Sequence, residues 1–311
     1  MKRVLVTGAG GFVGRHALAP LAERGYEVHA VSRSRLGPEQ SGVSWHAADL
    51  LAPGAAERLC AQVRPTHLLH LAWYTEPGHY WRSPENLRWV EASLALLRAF
   101  GGEGGLRVVT AGTCAEYDWA AGARCDERST PVRPATLYGA CKGALATIQR
   151  AYAAEAGLSQ AWGRLFFLYG PDEHPTRLVA SVASALLAGR PAECTSGEQR
   201  RDFLHAADAA DAFAALLDGE VEGPVNIASG ESVPVRHVIS RIARLAGNPD
   251  LVRLGARPTP AGEPAELGAR VERLRDEAGW RPRRSLEDGL AEVVAWWRAK
   301  LDRERVHEGH G

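Results

Sequence analysis

The chain has 311 residues and a formal net charge of zero, with 45% apolar and 24% charged residues. This length can bury the cores of two domains or lobes, and the balanced charge argues against a broad electrostatic surface for nucleic acid or an anionic membrane. No apolar run approaches the ~18 residues of a membrane span, the Met-Lys-Arg start shows no signal-peptide pattern, and the five cysteines lack metal-site spacing, so we expect a cytoplasmic protein without a metal site.

The first thirty residues predict a strand, a glycine-rich loop, a helix and a second strand. Residues 3–6 form a short apolar run, which is typical of a buried parallel strand. A glycine-rich stretch at 7–14 precedes apolar residues at helical spacing, and a second strand is predicted at 26–31. Glycines let the backbone approach a pyrophosphate, and the helix start offers free N–H groups to it. This order predicts a dinucleotide-binding unit, with candidate cofactor contacts at Gly8, Gly10, Gly11, Phe12, Val13 and Gly14.

The residues after the second strand bear on the choice of cofactor. An Asp or Glu at this place would bind the ribose 2′-hydroxyl of NAD, but this chain has Ser32, Arg33 and Ser34 there. A guanidinium attracts a 2′-phosphate, and serine hydroxyls can hydrogen-bond to it. We therefore predict NADP, as NADPH, in preference to NAD. The alternative is that Arg33 stacks on adenine or faces solvent.

Strands and helices continue to alternate as far as residue 170. We predict strands at 42–48, 66–72, 106–110 and 160–168, and helices at 84–100 and 138–155. Such alternation indicates a parallel sheet that is covered on both faces. An aromatic loop at 73–81 could contact substrate, a second subunit or the local core. Further cofactor contacts are expected at Asp49, Leu50, Leu71, Ala72, Trp73 and Ala111.

After residue 170 the predicted segments become shorter and richer in proline, glycine and charge. We predict helices at 177–188, 207–217, 236–246 and 286–301, and a late strand at 224–228 that returns to the main sheet. The predicted fold is α/β: a Rossmann-type doubly wound parallel sheet with a smaller C-terminal α/β substrate lobe. The NADP-binding Rossmann domain would cover 1–170 and be rejoined by 203–229, the substrate lobe would cover 171–202 and 230–301, and 302–311 would form a flexible tail.

Lys142 is the only lysine in the interior of the chain, because the other two, of 37 basic residues in all, lie near the ends. A compact ammonium can sit against a ribose and a phenol where a planar guanidinium would not fit. Lys142 follows Tyr138 by four residues, and residues four apart share one face of a helix. We therefore expect both side chains to point at the same place.

Several motifs occur in an order that is similar to one enzyme family. They are the glycine loop at 7–14, His-Leu-Ala at 70–72, Thr113 with Tyr117, Tyr-x-x-x-Lys at 138–142, Tyr-Gly-Pro at 169–171, Arg-Asp-Phe at 201–203 with Asp208, Asn-Ile-Ala-Ser-Gly at 226–230 and Gly-Trp-Arg-Pro at 279–282. With these motifs the chain resembles the extended short-chain dehydrogenase/reductases, in the branch of nucleotide-sugar epimerases, dehydratases and 4-ketoreductases. The resemblance covers nearly the whole length.

The resemblance implies that Thr113, Tyr138 and Lys142 are the catalytic residues. Lys142 would hydrogen-bond to the nicotinamide ribose, Thr113 would donate to the substrate oxygen, and hydride would pass between nicotinamide and a sugar carbon. Because a nearby ammonium favours the phenolate, we expect the pKa of Tyr138 to be lowered, so that Tyr138 acts as general acid/base. The resemblance also implies a homodimer formed through the helices that begin near Pro84 and Tyr138.

Three reactions share this apparatus, and neighbouring residues discriminate among them. Dehydratases of this branch carry an Asp-Glu pair directly after the catalytic Thr, where this chain has Cys114 and Ala115, and Glu116 comes one place too late. Epimerases hold NAD tightly and usually carry the acidic ribose ligand, which is absent here. We therefore predict an NADPH-dependent 4-ketoreductase of a nucleoside-diphosphate 4-keto-6-deoxy sugar, an enzyme of deoxysugar biosynthesis.

The substrate half of this prediction leaves alternatives open. The family often has Asn where this chain has Phe167, and the family's late Arg is displaced to Arg257. A reductase of a non-nucleotide carbonyl, a 4-epimerase with tightly bound NAD and a non-catalytic NADP-binding sensor or scaffold all stay open. Arg201 could bind the sugar diphosphate or form an ion pair between the lobes. The substrate-binding candidates are Thr113, Tyr80, Trp81, Phe167, Arg201 and Arg257.

Overall fold

The computed structural model describes residues 2–33, 37, 42–260 and 262–308, with side chains as far as residue 305. Ser34, one of the predicted cofactor contacts, lies outside the described residues. The strands are β1 (Arg3–Thr7), β2 (Glu27–Ser32), β3 (Val43–Ala47), β4 (His67–His70), β5 (Arg107–Thr113), β6 (Arg124–Cys125), β7 (Ser159–Leu165), β8 (Phe167–Tyr169), β9 (Ala192–Glu193), β10 (Arg200–His205), β11 (Gly223–Ile227), β12 (Ser232–Pro234), β13 (Val252–Arg253) and β14 (Glu266–Ala269). The α-helices are α1 (Gly14–Glu23), α2 (Ala55–Val63), α3 (Glu85–Gly102), α4 (Leu137–Ala156), α5 (Leu178–Leu187), α6 (Ala206–Asp218), α7 (Val235–Ala246) and α8 (Leu286–Glu308).

The main sheet is parallel throughout and, in the part of the chain that the structure describes, has the order β11-β7-β5-β4-β1-β2-β3. From β1 the chain builds outward through β2 and β3 on one side, then through β4, β5, β7 and β11 on the other. The strand order therefore reverses between β1 and β4, and ligands of open α/β sheets bind in the crevice at the carboxyl ends of such strands. The predicted Rossmann-type α/β fold is confirmed.

Helices cover both faces of this sheet because successive strand residues point to opposite sides. In β1, Val4 and Val6 belong to one buried cluster and Leu5 to the other. The first cluster includes Leu21 of α1 and Phe213 of α6, whereas the second is filled by one face of α2, α3 and α4. The glycine loop and the start of α4 are thereby fixed at the same edge of the sheet.

A second group of elements follows the main sheet. Strands β12, β10, β14 and β6 pair in that order, β8 pairs with β10, and β9 pairs with β13. Helices α5, α7 and α8 pack around a third buried cluster that includes Val182, Ile239 and Val293. Whether these elements form a separate substrate lobe stays a prediction.

Three local features of the structure differ from what the sequence led us to expect. The single strand expected at 160–168 is two strands, because the chain leaves the main sheet at Phe166 and β8 joins β10 instead. Helix α8 continues to Glu308 through the stretch where a tail was predicted, with the ion pairs Lys300–Glu304 and Arg305–Asp302 along it. Helix α2 was not predicted, although its apolar positions have helical spacing. None of the described helices is both long and apolar enough to cross a membrane.

Candidate active site

The glycine loop between β1 and α1 forms a cradle that side chains would fill. Gly8 has φ +71°, and a Cβ there would lie 2.8 Å from the Ala72 nitrogen. A Cβ on Gly14 would lie 2.1 Å from the Gly8 oxygen, so only glycine fits at either position. Helix α1 has neither a side-chain cap nor an acidic residue in its first turn, so its own first turn carries no charge that opposes an anion at the positive end of the helix dipole. The loop therefore fits the pyrophosphate of a dinucleotide.

The predicted ribose contacts lie beside this loop. Ala9 donates from its backbone nitrogen to the Val31 oxygen, which ties the loop to the end of β2. Ser32 ends that strand, and Arg33 follows it as an exposed residue. Asp49 is also exposed and accepts a hydrogen bond from the Leu51 nitrogen. No Asp or Glu takes the position directly after β2, as the sequence indicated.

Thr113, Tyr138 and Lys142 are all buried at the carboxyl end of β5. Thr136 caps α4 by accepting a hydrogen bond from the Gly139 nitrogen, which fixes where the helix begins. Tyr138 and Lys142 then occupy the first turns of α4 on the face that meets β5. Lys142 Nζ donates to the Ala111 oxygen at 2.8 Å, and the Thr113 side chain lies close enough to the Tyr138 phenol to influence its pKa. The structure therefore brings the three predicted catalytic residues together.

The protonation of this trio differs from the expectation. Burial raises the pKa of Tyr138, Tyr80 raises it further, and among the strongest influences only the Thr113 side chain lowers it. Burial lowers the pKa of Lys142 to about 7, against the raising effect of the Glu116 charge. The predicted lowering of the Tyr138 pKa is therefore wrong for the protein alone. Desolvation outweighs the ammonium, whose Nζ bonds to a backbone oxygen on β5.

Glu116 is buried beside Thr113, the predicted catalytic threonine, and holds its backbone in place. One of its carboxylate oxygens accepts from the Thr113 nitrogen at 2.8 Å and from Trp162 Nε1 at 2.9 Å. The other accepts from Arg164 Nε at 2.8 Å, and this ion pair is almost fully shielded from water. The Thr-x-x-Glu spacing is a capping-box signal that could have identified this role in the sequence.

Several aromatic side chains pack against Tyr138, the predicted catalytic tyrosine. The ring centroids of Tyr80 and Trp81 lie 4.9 and 5.8 Å from that of Tyr138. The Trp81 oxygen accepts from the Tyr138 nitrogen, and Trp119 packs edge-on against Trp81 at 6.2 Å. The Arg177 guanidinium lies 5.5 Å from the centroid of the Tyr80 ring. Tyr80 and Trp81 were predicted as substrate contacts, whereas Trp119 and Arg177 were missed because no local pattern brings them here.

The remaining substrate candidates separate into two places. Arg201 is buried and donates to Glu263 Oε1 at 2.7 Å and to the Pro264 oxygen at 2.9 Å, with its guanidinium 5.4 Å from the Phe167 ring. Arg257 is exposed, and its Nε lies 3.9 Å from a carboxylate oxygen of Glu193 in β9. Phe167 and Arg201 are therefore in contact, and protein groups already accept hydrogen bonds from Arg201. Arg257 lies elsewhere, beside Glu193.

The cysteines are buried free thiols, and the described residues contain no group arranged to bind a metal ion. All five cysteines are unpaired and buried, and burial raises the pKa of the Cys114 thiol beside Thr113. Within residues 2–33, 37, 42–260 and 262–308, no group of three or more His, Cys, Asp or Glu side chains is arranged to hold a metal ion.

Comparison with solved structures extends the likeness to almost the entire chain. A UDP-glucose 4-epimerase from Thermus thermophilus in complex with NAD is 28% identical, with a TM-score of 0.84 over 95% of this chain and 99% of that one. MoeE5 in complex with UDP-glucuronic acid and NAD is 30% identical, also with a TM-score of 0.84, over 96% of this chain and 100% of that one.

The sequence comparisons agree with the structural ones. A UDP-glucose 4-epimerase from Streptomyces lividans is 28% identical over 99% of both chains. The model of the NAD dependent epimerase/dehydratase family matches residues 4–228, which include the glycine loop and all three clustered catalytic candidates. On these grounds the chain belongs to the NAD-dependent epimerase/dehydratase family, within the extended short-chain dehydrogenase/reductases.

Proposed function

We propose that this protein transfers a hydride between a nicotinamide cofactor and C4 of a nucleoside-diphosphate hexose. The observation that carries the proposal is the buried cluster of Thr113, Tyr138 and Lys142, at the same sheet edge as the glycine loop. Hydroxyl groups in this arrangement can hold a substrate oxygen and exchange a proton with it. The cofactor, when bound, supplies the hydride chemistry.

The chain's own residues then divide the remaining work. The loop from Gly8 to Gly14 would hold the pyrophosphate, and Ser32 and Arg33 the adenosine ribose. Lys142 would donate to the nicotinamide ribose, since Ala111 is the acceptor of only one of its three N–H groups. Thr113 would orient the substrate oxygen, and Tyr138 would give a proton to it or take one from it.

The favoured reaction is NADPH-dependent reduction of a 4-keto group, on a nucleoside-diphosphate 4-keto-6-deoxy sugar. Two observations support it. Burial keeps Tyr138 protonated, which is the form that a ketone reduction consumes. The position after β2 carries Ser32 and Arg33 in place of an acid that would repel the 2′-phosphate of NADPH. Dehydration is disfavoured because both oxygens of Glu116 are already engaged.

The second candidate is a nucleotide-sugar 4-epimerase that uses tightly bound NAD. It is favoured by the relatives, because UDP-glucose 4-epimerases match this chain over almost its full length and have been solved with NAD. An epimerase needs the same trio for both half-reactions. The two candidates differ in whether the cofactor is consumed.

The deciding experiment measures cofactor use and product together. Purified protein is given NADPH or NADH with a panel of nucleotide 4-keto-6-deoxy sugars, and separately UDP-glucose and UDP-galactose with and without NAD. Net NADPH oxidation with a reduced sugar product supports the ketoreductase. Interconversion of the two UDP-hexoses without net cofactor change would replace it by the epimerase. Tyr138→Phe is the control, which should abolish either reaction, and tight NADP binding without turnover on any sugar would contradict both.

A further inference from the structure

Trp73 lies directly over the ammonium of the catalytic lysine. The centroid of its ring is 3.8 Å from Lys142 Nζ. The indole is held from behind, because Nε1 donates to Asn86 Oδ1 at 2.8 Å and Asn86 is itself fully buried. The Asn86 amide in turn donates to the backbone oxygens of Tyr80 and Ser83. The ring face that Lys142 meets is therefore fixed by a network that anchors the aromatic loop.

Lys142 has little else to stabilise its charge. It is 3% exposed and donates to one backbone oxygen. None of the described side chains places a carboxylate within ion-pair distance of Lys142. The Glu116 carboxylate raises the pKa of Lys142 from farther away, and its oxygens accept hydrogen bonds from Thr113, Trp162 and Arg164.

The other titratable neighbours do not compensate the ammonium. Burial lowers the pKa of His70, at the end of β4, to about 3, so this ring is neutral. Burial raises the pKa of Tyr138, on the same helix, so the phenol is neutral too. Arg164 of β7 carries a like charge that is already paired with Glu116. Of the two described aromatic rings beside the ammonium, Trp73 is much the nearer, with its centroid 3.8 Å from Lys142 Nζ against 6.0 Å for Trp162.

We propose that Trp73 is a positioning residue that holds the Lys142 side chain and stabilises its ammonium form through the face of the indole. Attraction between a cation and an aromatic face is strongest for Trp and increases when the pair is shielded from water. One N–H group of the ammonium bonds to the Ala111 oxygen and one can face the indole, so a third stays available for a ribose hydroxyl. The consequence for catalysis rests on the proposed function, but the effect on Lys142 itself does not.

The test replaces Trp73 with tryptophans that carry one to four ring fluorines. Fluorine keeps the shape and the N–H group while it drains negative potential from the ring face. Truncation would also admit water, which raises the pKa of a buried lysine and would mask the effect. Lysine labelled with ¹³C at Cε is observed by NMR during a pH titration. The chain has three lysines, so Lys2→Arg and Lys300→Arg variants assign every resonance.

The two terminal lysines are internal controls. Lys2 lies 5.2 Å from the Tyr26 ring and Lys300 lies 4.7 Å from the Trp297 ring, but their side chains are 50% and 34% exposed. The pKa of Lys142 should fall stepwise, by about one unit across the series, while those of Lys2 and Lys300 stay constant. A Lys142 pKa that is the same in every member of the series overturns the proposal.

An activity arm separates this proposal from the proposed function. The alkaline limb of the pH profile of kcat/KM should move to lower pH as fluorines are added, because Lys142 then loses its charge at lower pH. A stepwise NMR shift in a protein that turns over no nucleotide sugar would support the role of Trp73 and refute the proposed function. An alkaline limb that stays at the same pH while the Lys142 pKa falls would refute the catalytic consequence of the Trp73 contact.

Discussion

Replacing Glu116 by Gln should strongly destabilise the protein, because it leaves a buried arginine without its counter-charge. The side chains of Glu116 and Arg164 are 0% and 6% exposed, and their 2.8 Å contact lies behind Thr113. Removing one partner of such a pair typically costs about 3–5 kcal/mol, since the other charge stays buried. That is a large part of the roughly 5–15 kcal/mol that stabilises a typical protein. In the described structure Arg164 Nη1 has no hydrogen-bond partner, so no second acceptor is in place to compensate the guanidinium when the Glu116 charge is lost.

The assay is urea unfolding at neutral pH, followed by circular dichroism. Glu193→Gln is the matched control, because it removes the same charge from an exposed pair whose atoms lie 3.9 Å apart; such pairs contribute about 0–1 kcal/mol. Glu116→Gln should lower the unfolding midpoint far more than Glu193→Gln at a similar slope. A Glu116→Gln midpoint no lower than that of the control would refute the reasoning.

A double-mutant cycle tests whether the cost arises from the pair itself. Arg164→Met combined with Glu116→Gln removes both charges, so the double variant should be more stable than the sum of the single losses indicates. Strict additivity would show that the two side chains are not energetically coupled. Because Glu116 also accepts from the Thr113 nitrogen, Glu116→Gln should lower kcat as well.

Four further predictions concern chemistry, cofactor, pH and assembly. Lys142→Arg should lose most turnover while Lys300→Arg keeps it, because a planar fork does not fit where the ammonium contacts Ala111; comparable kcat/KM values in the two variants would contradict this role. Arg33→Asp should shift cofactor preference from NADPH towards NADH, measured as the ratio of the two KM values. Burial raises the pKa of Glu173 from its ordinary value of 4.5 to about 8, so ionisation of this carboxyl opposes folding as pH rises from 4.5 to 8. The stability of Glu173→Gln relative to wild type should therefore be greater at pH 9 than at pH 5, by roughly 2 kcal/mol or more. The prediction is refuted if the variant and the wild type have equal unfolding midpoints at both pH values. Leu87 on α3 and Ile148 on α4 are 52% and 41% exposed, so if these helices form the expected homodimer, Ile148→Asp should yield monomers in light scattering.

Much of the cofactor site could be predicted because its signals are local. The glycine loop fits in eight consecutive residues, and the four-residue step from Tyr138 to Lys142 sets their common face on any helix. Thr113 was assigned by the family resemblance, because the predicted strand ended at residue 110, whereas β5 runs as far as Thr113. Local signals also exist for α2, whose apolar positions have helical spacing, and for the capping box of Thr113 and Glu116, although neither was predicted.

The substrate side could not be predicted in the same way. Phe167 lies in β8 and meets Arg201 of β10 because the chain leaves the main sheet at Phe166, a bend that no spacing rule indicates. Arg201 proved to be engaged by Glu263, which follows it by 62 residues. Arg177 reaches the Tyr80 ring from the start of another helix, and only the packing of both segments makes them neighbours.

The sequence by itself determined the fold class, and it predicted the glycine loop and the three candidate catalytic residues, because each of these signals depends on residue types at short, fixed spacings. The tertiary structure alone decided their electrostatic setting. Burial raises the pKa of Tyr138 and lowers that of Lys142. Packing between distant segments shields the Glu116–Arg164 ion pair from water and places Trp73 over the Lys142 ammonium. Desolvation depends on everything that surrounds a group, and those surroundings come from segments that are distant in the chain.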